Sequence, residues 1–361
     1  MLAFEFEQLS ALGLTPALAN RAAGLAASQS ASLELLRVTV VHRSAVIVDD
    51  GVNERSARPL PRLVRALGDE GAALAAGDWV LAAADAYGEA WIEARVPPSS
   101  HIARRDSDGR VHPVVSNVDT ALLLMGLDDD FNPRRLERYL ALVHDEAIVP
   151  VVVLTKADIA APTQDALDRR MALLDGRIPR GVEVFAVNAL DVSAAHALDR
   201  YLGRGQTLVL LGSSGCGKST LTNTLLGAAV QDTGPVRAHD GRGMHTTTSR
   251  SLHRLPGGAC VIDTPGLRAL RPDTDEASLA ASFDDIEALA ARCRFRDCAH
   301  IEEPGCAVRE GIGADRLRNY HKLLREMRRD RLTALDRQRQ RAEWKARSRG
   351  AEVRLRAKRG E

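Results

Sequence analysis

The stretch LGSSGCGKSTLTN carries the spacing Gly212-x-x-x-x-Gly217-Lys218-Ser219. Glycines there let backbone N–H groups wrap a phosphate chain, and a helix opening at Lys218 turns the positive end of its dipole toward the same anion. Gly212, Ser213, Ser214, Gly215, Cys216, Gly217, Lys218, Ser219 and Thr220 are therefore the candidate phosphate-loop residues, with Cys216 at a variable position. Lys218 is placed to reach the β- and γ-phosphates and the Ser219 hydroxyl to ligate Mg²⁺. Downstream, VIDTPGLRAL offers Asp263 as a second Mg²⁺ group, acting through water, and the Gly266 N–H as a sensor of the γ-phosphate. Between them, GRGMHTTTSR has the make-up of a first switch, in which Thr247 or Thr248 closes on Mg²⁺. Three threonines in a row leave that register open.

The base is read elsewhere. In VLTKAD, the Asp158 carboxylate can accept hydrogen bonds from N1–H and the N2 amino group of guanine, donors that adenine lacks at those positions. Lys156 can lay its stem along the base, and Ala157 completes the loop with Thr155, which stands where asparagine is usual and is expected to brace it less well. Asn188 and Ala189, in VFAVNAL, match a second loop whose backbone approaches guanine O6. Both base loops precede the phosphate loop, whereas an ordinary GTPase has the phosphate loop and switches first. The chain therefore reads as a circular permutation, with the second switch leading almost directly into the C-terminal segment.

A third constellation is Cys293-x₄-Cys298-x-His300-x₅-Cys306. Three thiolates and an imidazole make a closed tetrahedral set, which suits structural zinc and leaves no open position for catalysis. Cys260, on the apolar run GACVID, reads as core.

These groups need scaffolds. Residues 1–34 look helical and alanine-rich. LELLRVTVVHRSAVIVDDG and GDWVLAAADAYGEAWIEARV are short β-branched runs ended by Asp and Gly, so 35–102 is expected to be a small barrel, OB-like or SH3-like. From 110 to 272, apolar strands alternate with helices, among them NPRRLERYLALVHDE with Leu136, Tyr139, Leu140 and Val143 on one face. Such alternation predicts a parallel sheet with helices on both faces. Beyond it, 273–330 is helical around the cysteine cluster.

The bulk properties fit. The chain has 361 residues, 27% of them charged, and a net charge of +1. Residues 331–361 hold 11 Lys/Arg against 4 Asp/Glu, a basic tail suited to a polyanion such as RNA. No apolar run approaches the roughly 20 residues of a membrane span, and the N-terminus lacks a signal peptide's pattern, so a cytoplasmic protein is expected.

The barrel, the permuted G domain with GRGMHTTTSR and DTPGLRAL, and the cysteine cluster together resemble the bacterial ribosome small subunit-dependent GTPase A family (RsgA, also called YjeQ), over roughly residues 35–330. The resemblance implies an OB fold, a permuted GTPase and a zinc domain in one chain. It implies action late in 30S maturation, with GTP hydrolysis to GDP stimulated by the subunit and contact with 16S rRNA. A monomer without membrane or DNA partners is expected. The resemblance also supports zinc on Cys293, Cys298, His300 and Cys306, and a role for His245. Leu267 stands where many GTPases carry a water-orienting glutamine, so intrinsic turnover should be slow, and His245 is the candidate to complete the site. The rival readings are another P-loop NTPase, such as an ATPase or kinase, and a guanine-nucleotide sensor that binds RNA.

Overall fold

The computed structural model describes residues 2–27, 32–42, 45–105, 111–143, 148–229, 250–264 and 276–330. Five strands close a barrel in the order Leu33–Val41, Val46–Asp49, Glu54–Pro59, Ala90–Arg95, Trp79–Ala84 and back to Leu33–Val41. One pairing, Glu54–Pro59 with Ala90–Arg95, is parallel, and the helix Pro61–Asp69 follows the third strand. This is the expected OB-like barrel. Leu63 and Leu67 of the helix join Leu36, Val38, Val48, Val80 and Ile92 in its core. Glu54–Pro59, with the sequence ERSARP, is mostly exposed, and its composition carries no strand pattern.

The first barrel strand serves two cores because a strand alternates its faces. Leu36 and Val38 point into the barrel, while Leu33 and Leu35 join the larger core beneath the G domain. That larger core also takes Leu9, Leu12, Leu14 and Leu18, so the N-terminal helices Phe6–Ser10 and Pro16–Ala27 pack onto the body.

The α/β sheet runs in the order Glu183–Ala186, Val149–Thr155, Thr120–Gly126, Thr207–Gly212, Cys260–Asp263, Ser251–Arg254. Its first five strands are parallel, and the sixth is antiparallel to Cys260–Asp263. Thr207–Gly212 lies centrally and is wholly buried, as a strand covered by helices on both faces must be. Ser251 also pairs with Val40, which makes the sheet continuous with the barrel. A separate hairpin, His101–Arg105 with Val111–Ser116, spans the point where the barrel pattern gives way to α/β alternation.

The helix Pro133–Val143 has two working faces. Leu136, Tyr139, Leu140 and Val143 cover the sheet, as their spacing predicts. Arg134, Glu137, Arg138 and Ala141, at i, i+3, i+4 and i+7, meet the C-terminal module. That module consists of Glu276–Ser282, Asp284–Ala290, Ala307–Gly311 and Ala314–Asp330, around Phe283, Ile286, Val308, Leu323 and Met327.

Candidate nucleotide and metal sites

Parallel strands place their C-terminal ends along one sheet edge, where α/β proteins bind ligands. Gly126, Thr155, Ala186, Gly212 and Asp263 all stand at that edge. The phosphate loop turns from Gly212 through Ser213, Ser214, Gly215 and Cys216 to Gly217, and the helix Lys218–Leu226 begins at once. Gly217 adopts φ 96°, open to glycine at little cost, and a Cβ on Gly212 would lie 2.8 Å from the Leu124 carbonyl of the adjacent strand. Lys218 is buried, and its Nζ donates to the carbonyls of Ser213 at 2.7 Å and Gly212 at 3.2 Å, which curls the ammonium back over the loop. Ser219 and Thr220 sit half-buried in the first turn of the helix. Asp263 is fully buried at the end of the neighbouring strand. Thr264, next in sequence, donates to the Leu210 carbonyl at 2.7 Å and ties the end of this strand to the phosphate-loop strand.

The two base loops are bonded to this frame. Thr155 is fully buried, and its Oγ1 donates to the Cys216 carbonyl at 2.6 Å. The bracing feared lost with asparagine is thus supplied by a hydroxyl, directly to the phosphate loop. Lys156 takes a left-handed conformation, φ 59° and ψ 32°, at the start of the short helix Ala157–Ala160. Asp158 follows on that helix and is exposed, free to meet a base. Ala157 N–H donates to the Val187 carbonyl at 3.3 Å, which links the first base loop to the second. In the second loop, Asn188 Oδ1 accepts from the Leu190 N–H at 3.0 Å, and the Ala189 carbonyl accepts from Thr224 Oγ1 of the phosphate-loop helix at 2.6 Å. Loops that lie far apart in sequence are therefore mutually hydrogen-bonded at one edge.

Sequence reasoning missed two residues here. Asp128 Oδ2 accepts from Lys156 Nζ at 2.6 Å, and Asp130 Oδ1 accepts from Ser213 Oγ at 2.6 Å. The signal was the run Gly126-Leu127-Asp128-Asp129-Asp130 directly after a buried strand, which puts carboxylates at the ligand edge. His245, Thr247, Thr248, Gly266 and Leu267 lie outside the described residues, as do residues 331–361.

The ligand atoms of Cys293, Cys298, His300 and Cys306 lie within 4.8 Å of one another. His300 Nδ1 stands 3.4 Å from Cys306 Sγ and 3.7 Å from Cys293 Sγ, and those two sulfurs are 3.9 Å apart. Zinc–sulfur bonds of about 2.3 Å in a tetrahedron put sulfurs roughly 3.8 Å apart, so the donor set fits zinc. Backbone N–H groups of Val308 and Ala307 hold the Cys293 thiol below its usual range. Desolvation, followed by the adjacent Cys306 and Cys293 sulfurs, pushes Cys298 up to about 11. Three sulfurs this close resist ionising together, and a divalent cation removes that conflict. Cys306 Sγ also accepts from the Arg309 N–H, which fixes it at the head of Ala307–Gly311. Cys260 and Cys216 are fully buried among apolar side chains, and Cys260 is core as read.

The RsgA GTPase family model matches residues 96–272. A protein of Xanthomonas oryzae pv. oryzae named small ribosomal subunit biogenesis GTPase RsgA is 47% identical over 295 residues, which cover 80% of this chain and 79% of that protein. A Xanthomonas axonopodis pv. citri protein of the same name is 46% identical over 299 residues, 81% of this chain and 80% of that one. Two solved structures share the fold. YjeQ from Thermotoga maritima has TM-score 0.56 and 23% identity, with 82% of this chain and 98% of that one covered. YloQ, a circularly permuted GTPase, has TM-score 0.55 and 22% identity, with 83% and 96% covered. With the base loops and phosphate loop assembled in permuted order on one sheet edge, the chain belongs to the RsgA GTPase family.

Proposed function

We propose that this protein hydrolyses GTP to GDP and phosphate while bound to the 30S ribosomal subunit late in its maturation. The observation that carries the reading is the joining of both base loops to the phosphate loop, through Thr155 to Cys216 and Thr224 to Ala189. Asp158 selects guanine. Backbone N–H groups of 213–218 and the Lys218 ammonium are assigned to the phosphates, and Ser219 and Asp263 to Mg²⁺. Bound Mg²⁺ supplies charge neutralisation on the β- and γ-oxygens. Thr247 or Thr248 and the Gly266 N–H are assigned to switch closure, and His245 to orienting water in place of the glutamine that Leu267 replaces. Zinc on Cys293, Cys298, His300 and Cys306 is assigned a structural role. The working units are taken as 1–34, 35–102, 110–272, 273–330 and the tail 331–361.

The partner surface is read from charge. Between helices Pro133–Val143 and Ala314–Asp330 lies an open groove of about 1150 Å³. Arg318, Lys322 and Arg325, at i, i+4 and i+7, form an exposed stripe on one wall, while Arg134, Arg135 and Arg138 on the other are already paired with Asp315, Asp130 and Glu326. Such a surface suits RNA phosphates, here those of 16S rRNA. Among the described residues no helix is long and apolar enough to cross a membrane. A cytoplasmic monomer fits these assignments.

The test is a GTPase assay with sedimentation on 30S, 50S and 70S particles. Hydrolysis alone is expected to be slow and to rise strongly with 30S, with binding that weakens as salt rises. His245→Ala should lose most of the stimulated rate and keep GTP-dependent 30S binding. Deletion of 331–361 should weaken binding more than turnover of the bound complex. ATP bound as tightly as GTP would overturn the base-loop assignment, and absence of any 30S stimulation would overturn the ribosomal one.

A further inference from the structure

The strand Thr120–Gly126 lies between the strand that ends in the guanine loop and the strand that ends in the phosphate loop. In register, Gly126 stands beside Thr155 and Leu124 beside Gly212. The turn that leaves Gly126 therefore emerges between the two nucleotide loops. We propose that Asp128 and Asp130 on this turn are positioning residues, which clamp the guanine loop and the phosphate loop in fixed relation to one nucleotide. The proposal rests on the nucleotide site assigned above.

Each carboxylate grips one loop. Asp128 takes the Lys156 ammonium at 2.6 Å, and Asp130 takes the Ser213 hydroxyl at 2.6 Å. The turn itself is braced. Asp130 N–H donates to Asp128 Oδ1 and Gly126 N–H to Asp130 Oδ2, each at 3.2 Å, and Leu127 N–H donates to the Thr155 carbonyl at 3.0 Å. A Cβ at Gly126 would crowd Asp128 Oδ1, so a larger residue there would push that carboxylate aside.

The charges argue for positioning. A bare carboxylate beside a phosphate loop repels the nucleotide, so it belongs there only when neutralised. Both are neutralised, Asp128 by Lys156 and Asp130 by Arg135 at 2.6 Å. Asp128 holds the far end of the Lys156 side chain, whose methylenes are then a fixed platform for the base. Lys156 begins from a left-handed backbone that a non-glycine residue adopts only when its surroundings impose it. Released from Asp128, the side chain would sample many rotamers, and ordering it again would weigh against binding.

The experiment uses the full chain and a fluorescent GDP analogue in stopped flow, with steady-state hydrolysis on saturating 30S. Asp128→Ala is expected to speed GDP release about tenfold, the scale of one lost charge-assisted hydrogen bond. It should raise KM for GTP more than it lowers kcat. Lys156→Ala should speed release at least as much, and the double variant should be no faster than Lys156→Ala alone, because Asp128 acts through Lys156. Asp128→Glu should recover part of the effect. Asp130→Asn and Ser213→Ala form a second such cycle. Wild-type release from Asp128→Ala, or full additivity of Asp128→Ala with Lys156→Ala, overturns the proposal. The isosteric Asp128→Asn serves if the alanine variant does not fold, with release again faster than wild type expected and wild-type release overturning. Asp158→Asn separates the two levels. If it keeps guanine preference, the nucleotide-site reading fails; if it loses that preference while both cycles are silent, only the clamp fails.

Discussion

Where the barrel meets the GTPase sheet, an arginine is buried among neutral acceptors; where the cysteine-cluster module meets it, a carboxylate is buried among cations. Arg37 leaves the first barrel strand, is fully buried, and donates to Thr207 Oγ1 at 2.9 Å and the Asn117 carbonyl at 3.0 Å. Burial lowers its pKa, opposed at longer range by Cys260, Asp119, Asp78 and Asp49. Glu137 is 1% exposed, and its Oε1 accepts from Arg177 at 3.0 Å and Arg316 at 2.9 Å, with Asn319 on Oε2. Arg316 also makes a two-pronged contact with Asp285, 2.7 Å at each nitrogen, and lies over the Phe283 ring at 4.5 Å. The first junction continues a β-sheet, at Ser251 beside Val40, and side chains reinforce it, through the Arg254–Asp49 pair and the shared core that takes Leu33 and Leu35. The second joins two helices without shared backbone bonds, so side chains must specify it. They reach different nucleotide elements. The barrel is paired to the strand Ser251–Arg254, neighbour of the strand that ends in Asp263. The cysteine-cluster module is fastened to the helix whose first turn carries Arg135, the partner of Asp130.

Metal removal should separate the two regions most. Cys298→Ser is expected to take zinc from one per chain to none, since binding energy at a structural site is folding energy, about 10 kcal/mol or more in zinc-finger peptides. Limited proteolysis should then cut within 276–330 and leave the barrel and sheet resistant. A zinc-free variant with an intact module by proteolysis and circular dichroism would show that the helices alone hold it.

The next contrast sets the junctions against each other. Glu137→Ala leaves Arg316 and Arg177 facing a hole without their shared carboxylate, and should cost about 3–5 kcal/mol in urea denaturation. Arg37→Met removes a buried charge along with two hydrogen bonds to neutral acceptors and keeps the volume. It should cost less, about 1–2 kcal/mol, for acceptors left unpaired. If Arg37→Met proved the more damaging, the long-range carboxylates Asp119, Asp78 and Asp49 would have to count as true partners.

What sequence revealed, and what it hid, follows the same division. The phosphate loop, the Asp158 loop and the zinc ligands lie in local motifs, because each must present several groups from one short segment. The barrel was legible in its β-branched strands, yet Glu54–Pro59 was not, since a strand with an exposed outer face can be charged and still pair through its backbone on both sides. The apolar face of Pro133–Val143 was read correctly. Its second face was not, because Arg134, Glu137 and Arg138 look like a solvated stripe until Ala314–Asp330 is laid against them. Thr155 shows the same limit: a departure from the usual asparagine reads as a weakness until the Cys216 carbonyl is seen opposite its hydroxyl. Groups whose partners lie 61 residues away, as for Thr155, or 181, as for Arg134, leave no local spacing to read.

The smallest expected effect tests the rim of the junction at Glu137 by pH. Asp315 is bound by Arg134 and by Arg177 at 2.8 Å, and these guanidiniums, Arg134 first, hold its carboxyl well below the usual range. A carboxylate with a depressed folded pKa stabilises the fold above its unfolded value, about 4. That contribution is lost as pH falls from there through the folded value, so it is complete at neutral pH. The side chain is 38% exposed, and solvent screening keeps its share under about 1 kcal/mol. Asp315→Asn should therefore lower stability slightly at pH 7, and variant and wild type should converge at strongly acid pH. Half-molar salt should shrink the difference at pH 7, since an exposed pair is screened. A difference that persists undiminished at low pH and high salt would mean that Asp315 acts through packing, and the rim of this junction would then be as tightly specified as its buried centre at Glu137.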